Sequence, residues 1–521
     1  MKPFFTLITL ISISFFFSCK NNAHSGVDYS KLESIPTKEQ VGQLVLPDTI
    51  APVSAPFRMP LFEKPTFPDR SINILERGAE ASKLVTYNIQ SSIDIISELG
   101  GGTVIIPKGN WKTGRISLKS NVNLHLEAGA VLRFSTDVKD YQPAVFTRIE
   151  SLEVMSLAAC IYANNQENIA ITGKGKLIGP YGGEVKERSY MKPIESLVDL
   201  NKPANERIHD GSKEDWIFPP KFISPINCKK VYIEGISLEN TAFWNIVPVY
   251  CDYVIIRGVS INSVGIPRGD GIDIESSKNV LIEYCTLSTG DDAFTMKSGR
   301  GEDGLKVNKA TENVVVRYCL AKKGHGGVTC GSETAGTIRN VYVHDCVFDG
   351  TGVGIRFKTR RPRGGGGENL FYDRIRMNLE ATCIKWDMLG TPAYVGELAE
   401  RLPKRAVNNL TPFYKNINIS NIIIENGSHF LKVYGIPESP LKNLTIDNVD
   451  ANCSNLIIIN DAKNINIKNT SIKTSDSLIH VLNGTNIAFE NVLFNLNGAE
   501  LKTKNKNGLP NNISFKDCEY K

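Results

Sequence analysis

The 521-residue chain has no block of like charge: its 60 basic and 55 acidic residues are interleaved, leaving a formal net charge of +5. That excludes the basic footprint of a nucleic-acid binder and is compatible with an anionic ligand. CxxC pairs and compact cysteine frameworks are absent, so neither a metal knuckle nor a disulfide scaffold is expected. No second apolar run of membrane-spanning length follows the first residues. Helical periodicity is scarce, and Asn-Gly hairpin signals between strands are not systematic, which argues against a sandwich.

What the chain does have begins with MKPFFTLITLISISFFFSCKNN, a basic start, a short apolar run and a small residue, Ser18, before Cys19. This resembles a bacterial lipoprotein signal, so residues 1–19 are expected to be a signal peptide with Cys19 lipidated. The expected location is the cell envelope, on the periplasmic side or at the cell surface, with membrane attachment through that lipid. Residues 20–69, rich in Pro, Ser, Thr and charge, read as a tether or wrapping arm. Ten further cysteines, several at repeat positions, read as small buried packing residues.

One pattern then recurs: a polar residue, alternating apolar residues, and a polar or glycine break, as in KVYIEGISL, YVIIRGVSI, NVLIEYCTL and NINIKNTSI. The first apolar residues are Val231, Val254, Val280, Val314 and Val341, then Ile417, Leu444, Ile465, Ile487 and Ile513. Their spacings are 23, 26, 34 and 27, then 27, 21, 22 and 26 residues, which is the period of a solenoid. Within NVLIEYCTL, Val280 and Ile282 share one parity while Cys285 and Leu287 share the other, so the chain bends near Glu283 and Tyr284. Short, β-branched, Asn-rich strands with no helix between them describe a parallel β-helix. Residues 88–98, with Ile89, Ile93 and Ile96 on one face and three glycines following, predict a helix that caps its first coil. The fold class is therefore all-β: one right-handed parallel β-helix domain over residues 70–521, expected to be monomeric.

Aligning the segments after each bend stacks RGDGIDIE, GDDAFTMK, GHGGVTCG and GVGIRFK. Ile272, Phe294, Val328 and Ile355 fall in one inward row, and Ile274, Met296, Cys330 and Phe357 in the next. Residues between them face outward. Asp270 and Asp292 share an outward row, Asp291 and His325 the position before it. Asp273, Thr295, Thr329 and Arg356 form a third row, and Glu275, Lys297, Gly331 and Lys358 a fourth. With coils ~4.8 Å apart, carboxylates, an imidazole and cations crowd a patch about 15 Å across. Paired carboxylates with a histidine and two cations suit a glycosidase acting on an acidic sugar. One member of a like-charged set has its pKa raised and keeps the proton that a leaving group needs. An acid and base about 6.5–9.5 Å apart would leave room for a water and invert the configuration.

These four boxes, in this order, resemble the signature of the polygalacturonase family, glycoside hydrolase family 28. The stretches GGGTVIIPKGNWKTG, NVNLHLEAGAVLRFS and AFWNIVPVYCDYVIIRGV are similar to its other coils. The resemblance implies an inverting hydrolase of galacturonic-acid-containing pectin, polymeric or oligomeric, needing no cofactor and no metal. By motif position Asp291 is the general acid, Asp270 and Asp292 activate water, His325 orients the acid, and Arg356 and Lys358 hold a substrate carboxylate. Lys297 and Arg268 are further substrate-binding candidates.

Arg268 and Gly269 stand where the family has Asn and Thr, which keeps rhamnogalacturonan or a decorated galacturonan open as substrate. Arg360, Arg361 and Arg363 follow the cation pair on a glycine-rich loop, and an insertion at 181–216 is long enough to wall the cleft, which favours action from chain ends. Two further readings stand: a pectate-lyase-like enzyme with Arg356 or Lys358 as base and calcium on the aspartates, and a β-helical glycan binder without turnover.

Overall fold

The computed structural model describes residues 26–194, 196–505 and 512–521, so Cys19 and the signal-like segment lie outside the described residues. Parallel ladders connect coil to coil along the chain. Val231 pairs with Val254, Val254 with Val280, Val280 with Val314 and Val314 with Val341. Ile417, Leu444, Ile465, Ile487 and Ile513 continue the same row. The wide gap between Val341 and Ile417 is closed by a coil that the repeat reading missed: Leu370 pairs with both. Its sequence, NLFYDRIRM, places charged residues between the apolar ones and hides the period. The coils wind right-handed, the hand that parallel strand connections almost always adopt.

Turning a coil requires one residue with left-handed backbone, and asparagine tolerates that conformation best after glycine. Asn416, Asn443, Asn464 and Asn486 all have φ between 54° and 59°. Each side-chain amide donates to the asparagine one coil earlier, Asn443 to Asn416 at 2.9 Å and Asn464 to Asn443 at 2.9 Å. The predicted bend in NVLIEYCTL falls at Tyr284, with φ 56°, between strands Lys278–Glu283 and Thr286–Ser288. The capping helix spans Thr86–Glu98 and buries Ile89, Ile93 and Ile96. Cys285, Cys319 and Cys346 stack in the interior, and the described cysteines are all free thiols.

Residues 26–69 lie along the outside of the solenoid and run from late coils toward early ones. Asp28 N–H donates to Asn448 at 2.7 Å, Arg376 donates to Pro36 at 3.1 Å, and Asn168 donates to Thr66 at 3.2 Å. Phe62 is buried against Tyr232, Ile255, Leu281 and Val315, so the segment covers apolar surface that the lateral sheet would otherwise expose.

Candidate active site

The four stacked boxes form in the predicted register. Ile272 pairs with Phe294, Phe294 with Val328, and Val328 with Ile355. The glycines allow this close stacking. A Cβ on Gly290 would meet the Ile266 carbonyl at 2.0 Å, and one on Gly326 would meet Asp292 Oδ1 at 2.8 Å.

Asp270, Asp291 and Asp292 present carboxylate oxygens within 4.8 Å of one another. This is tighter than the expected 6.5–9.5 Å, because residues on neighbouring coils share the ~4.8 Å strand spacing. Asp292 is fully buried, with Lys358 Nζ at 2.6 Å from one oxygen and Arg356 Nη1 at 2.9 Å from the other. His325 Nδ1 lies 3.0 Å from Asp291 Oδ1, and the two backbones are joined by His325 N–H donating to the Asp291 carbonyl.

Two expectations need correction. The rows drawn as outward surface do face away from the core, yet Asp273, Glu275, Thr295 and Thr329 are buried. A second layer covers them. Arg148, from the antiparallel strands Val145–Ile149 and Leu152–Ser156, reaches Glu275 at 3.5 Å, as does Lys221. Lys297, expected to grip substrate, is 3% exposed. Its ammonium sits 3.8 Å from Asp270, 3.5 Å from Asp273 and 3.4 Å from Glu333, over the Trp244 ring at 4.4 Å. It therefore organises the carboxylates, and its position is set by residues far away in sequence.

The second correction concerns the retained proton. Burial, followed by the charges of Asp273 and Asp291, drives Asp270 well above the ordinary carboxylate range. Burial also pushes on Asp291, but the His325 hydrogen bond and Lys358 outweigh it and its pKa is lowered. Lys358 and Arg356 likewise overcome burial at Asp292 and hold it far down. In the free site burial, with crowding behind it, thus favours the proton on Asp270, whereas the family roles put it on Asp291. The His325 hydrogen bond raises the imidazole pKa in return.

Asp270, Asp291, Lys297, Arg356 and Lys358 line a cavity of about 210 Å³ that also takes in Trp244 and, from segments no motif signalled, Glu150, Arg300, Glu333 and Tyr394. A larger hollow of about 540 Å³, between the arm and the lateral sheet around Glu63, Lys230 and Tyr253, lies apart from this chemistry. Arg268 lines the catalytic cavity but is paired with Glu150 and donates to the Lys192 carbonyl at 3.1 Å. The insertion that includes Lys192 packs Ile194 and Val198 on Ile149, Leu152 and Val154, and so buttresses that wall. Of the loop arginines, Arg360 reaches the cavity over Tyr394 at 4.2 Å, while Arg361 is held by Glu438 through bonds of 2.5 and 3.0 Å.

A parallel β-helix carrying clustered aspartates, a histidine and a cation pair in one pocket is a glycoside hydrolase architecture. Residues 207–388, which hold all four boxes, match the model of glycosyl hydrolases family 28. Over that segment the chain resembles the family. It is 28% identical over 377 residues to a probable polygalacturonase of Vitis vinifera, covering 70% of this chain and 71% of that protein. It is 26% identical over 327 residues to an exo-poly-alpha-D-galacturonosidase of Dickeya chrysanthemi, spanning 58% of this chain and about half (54%) of that longer protein. The crystal structure of an exopolygalacturonase from Thermotoga maritima superposes with a TM-score of 0.69 at 28% identity, over 79% of this chain and 93% of the other.

Proposed function

We propose that the protein hydrolyses α-linked galacturonic-acid-containing pectin, polymer or oligosaccharide, by inversion and from chain ends. The observation that carries this is the graded exposure of the three aspartates around a cation pair. The side chain of Asp291 is 25% exposed, that of Asp270 4% and that of Asp292 0%. Only Asp291 is presented to a leaving-group oxygen. Asp292 has both oxygens engaged and Asp270 is buried, so neither can advance onto an anomeric carbon as nucleophile. Both can polarise a water, which supports inversion despite the short oxygen spacing.

The substrate completes the acid. A uronate entering beside Arg356 and Lys358 competes with Asp292 for those cations and brings a negative charge next to Asp291. Its ring also displaces water. Each effect raises the Asp291 pKa and moves the site's proton toward the leaving group. His325, whose side chain is 63% exposed, orients that carboxyl at the cavity mouth. Arg268, Arg300, Arg356, Lys358 and Arg360 at the cavity favour an anionic sugar and oppose a divalent cation on the aspartates, which weighs against calcium-dependent elimination. The wall built from Glu150, Arg268 and the insertion supports action at chain ends. The Cys19 box supports export and lipid attachment at the cell envelope, which mass spectrometry of the mature N-terminus tests.

The experiment is incubation of the chain from residue 20 with polygalacturonate, rhamnogalacturonan and oligogalacturonides, with and without EDTA. Expected are new reducing ends of inverted anomeric configuration by NMR, with no unsaturated product, unaffected by chelator. Asp291→Asn should lower kcat by about 10²–10⁴-fold, the range of a general acid, while still binding substrate. Chelator-sensitive unsaturated products would overturn the hydrolase reading, and cleavage confined to rhamnogalacturonan would move the substrate to that backbone.

A further inference from the structure

The outward row that holds Arg356 does not stop at the catalytic pocket. Arg356 pairs in register with Lys385 on the next coil, and Lys385 with Lys432 on the coil after that. Three cations are therefore stacked at ~4.8 Å steps along the solenoid axis, reaching about 10 Å from the catalytic cation pair toward the C-terminal coils. Arg356 is engaged by Asp292. Lys385 lies 3.4 Å from Asp387, each side chain about a quarter exposed. Lys432 has no ion-pair partner among the described residues, and the unbroken run of cations is interrupted beyond it by Ile458.

Like charges directly opposite on neighbouring strands destabilise a sheet. The repulsion is visible at Lys432: burial, then the charge of Lys385, pull its pKa down. A second run of stacked lysines, Lys415, Lys442 and Lys463, lies away from the pocket, where Lys442 and Lys463 are exposed and water screens them. The neighbouring row places Lys358, Asp387 and Tyr434 in register, a cation followed by an anion and then a half-buried aromatic ring. A cation column that costs stability, continuous with a pocket for an acidic sugar, is explained by an anion that lies over it.

We propose that Arg356, Lys385 and Lys432 form a carboxylate-reading track, in which Lys385 and Lys432 bind the uronate units of an anionic oligosaccharide that extends beyond the scissile bond toward the C-terminal coils. This rests on the galacturonan reading of the pocket and adds the direction in which the substrate runs. Lys432 sets the far limit of the track, about two coils from Arg356. Affinity should rise as substrate lengthens until a carboxylate reaches it, and then level off.

The test compares wild type, Lys385→Gln and Lys432→Gln on di-, tri- and tetragalacturonate, together with thermal unfolding of each. In wild type KM should fall with each added unit. In Lys432→Gln the KM for the longest substrate should rise about tenfold, the loss of one charge-assisted contact, and the gain from the last unit should disappear. Its melting temperature should hold or rise, because a like-charge repulsion has been removed, which separates the effect from misfolding. An unchanged dependence of KM on length in both variants would overturn the track, as would an equal rise of KM at every length. If wild type cleaves no galacturonan, the functional reading fails instead. The track is then read by calorimetry with trigalacturonate, where binding to wild type that weakens in Lys432→Gln supports it and equal binding overturns it.

Discussion

Asp273 is the residue at which the covered acidic row is most directly tested. Its carboxylate is buried, and neither oxygen has a hydrogen-bond partner in the protein. The nearest cation is Lys297 at 3.5 Å. Burial raises its pKa, Lys297 resists, Asp292 and Glu275 add to the rise, and the carboxyl ends at about 7 instead of the ordinary 3.8. At ~1.36 kcal/mol per pH unit, ionising this group in the folded protein costs about 4 kcal/mol. The folded state holds a proton that the unfolded chain releases near pH 4, so this group removes stability as pH rises from about 4 to about 7. Asparagine keeps the shape and has no such proton. Asp273→Asn should therefore gain on wild type as pH rises through that window, with little relative change below it. At ~2.1 cal/mol/K per residue, the unfolding entropy of 521 residues is about 1 kcal/mol/K, so 4 kcal/mol corresponds to about 4 °C. Scanning fluorimetry of both proteins at pH 4 and pH 8 reads this directly. A melting difference that stays constant with pH, or that moves against the variant as pH rises, would refute the argument and show that the Lys297 contact outweighs the burial of the charge.

Other expectations follow from the same contacts. His325→Gln removes the hydrogen bond that lowers Asp291. The alkaline limb of kcat/KM, which reports loss of the acid's proton, should move to higher pH while kcat falls about tenfold or more, as measured by a pH-rate profile. Asn443→Ala breaks two ladder hydrogen bonds of 2.9 Å at a position with φ 57°. It should cost about 1–3 kcal/mol, read as a fall of about 1–3 °C in melting temperature with activity unchanged.

The register of the catalytic coils was legible because an inward side chain every second residue is a local property, and each coil repeats it. The row from Ile272 to Ile355 needed only that pattern. Leu370 was missed where charges interrupt the alternation on a lateral strand. The aspartates, His325, Arg356 and Lys358 were found because they share boxes with those inward residues. Glu333 and Arg300 were not, since each reaches Lys297 or its partners from a segment with no motif of its own, and Trp244, though in a family-like stretch, carries no charge to mark it. Crowding implied that one aspartate keeps a proton and motif position named Asp291, yet neither ranks the aspartates by their surroundings. The ranking depends on which of them His325, Lys358 and Arg356 touch.

By itself the sequence determined the coil, its inward rows, the asparagine turns and the capping helix, because these depend on side-chain parity and on backbone conformations that neighbouring residues impose. It also determined which ionisable groups would stand on adjacent coils. Only the tertiary structure decided which of those groups meet solvent. The cover over Asp273, Glu275 and Lys297 comes from Arg148, Lys221 and Trp244, tens of residues to more than a hundred away along the chain. Burial changes the energy of a charge by kilocalories, so the protonation of the aspartates, the role of Lys297 and the exposure of Asp291 all waited on that second layer.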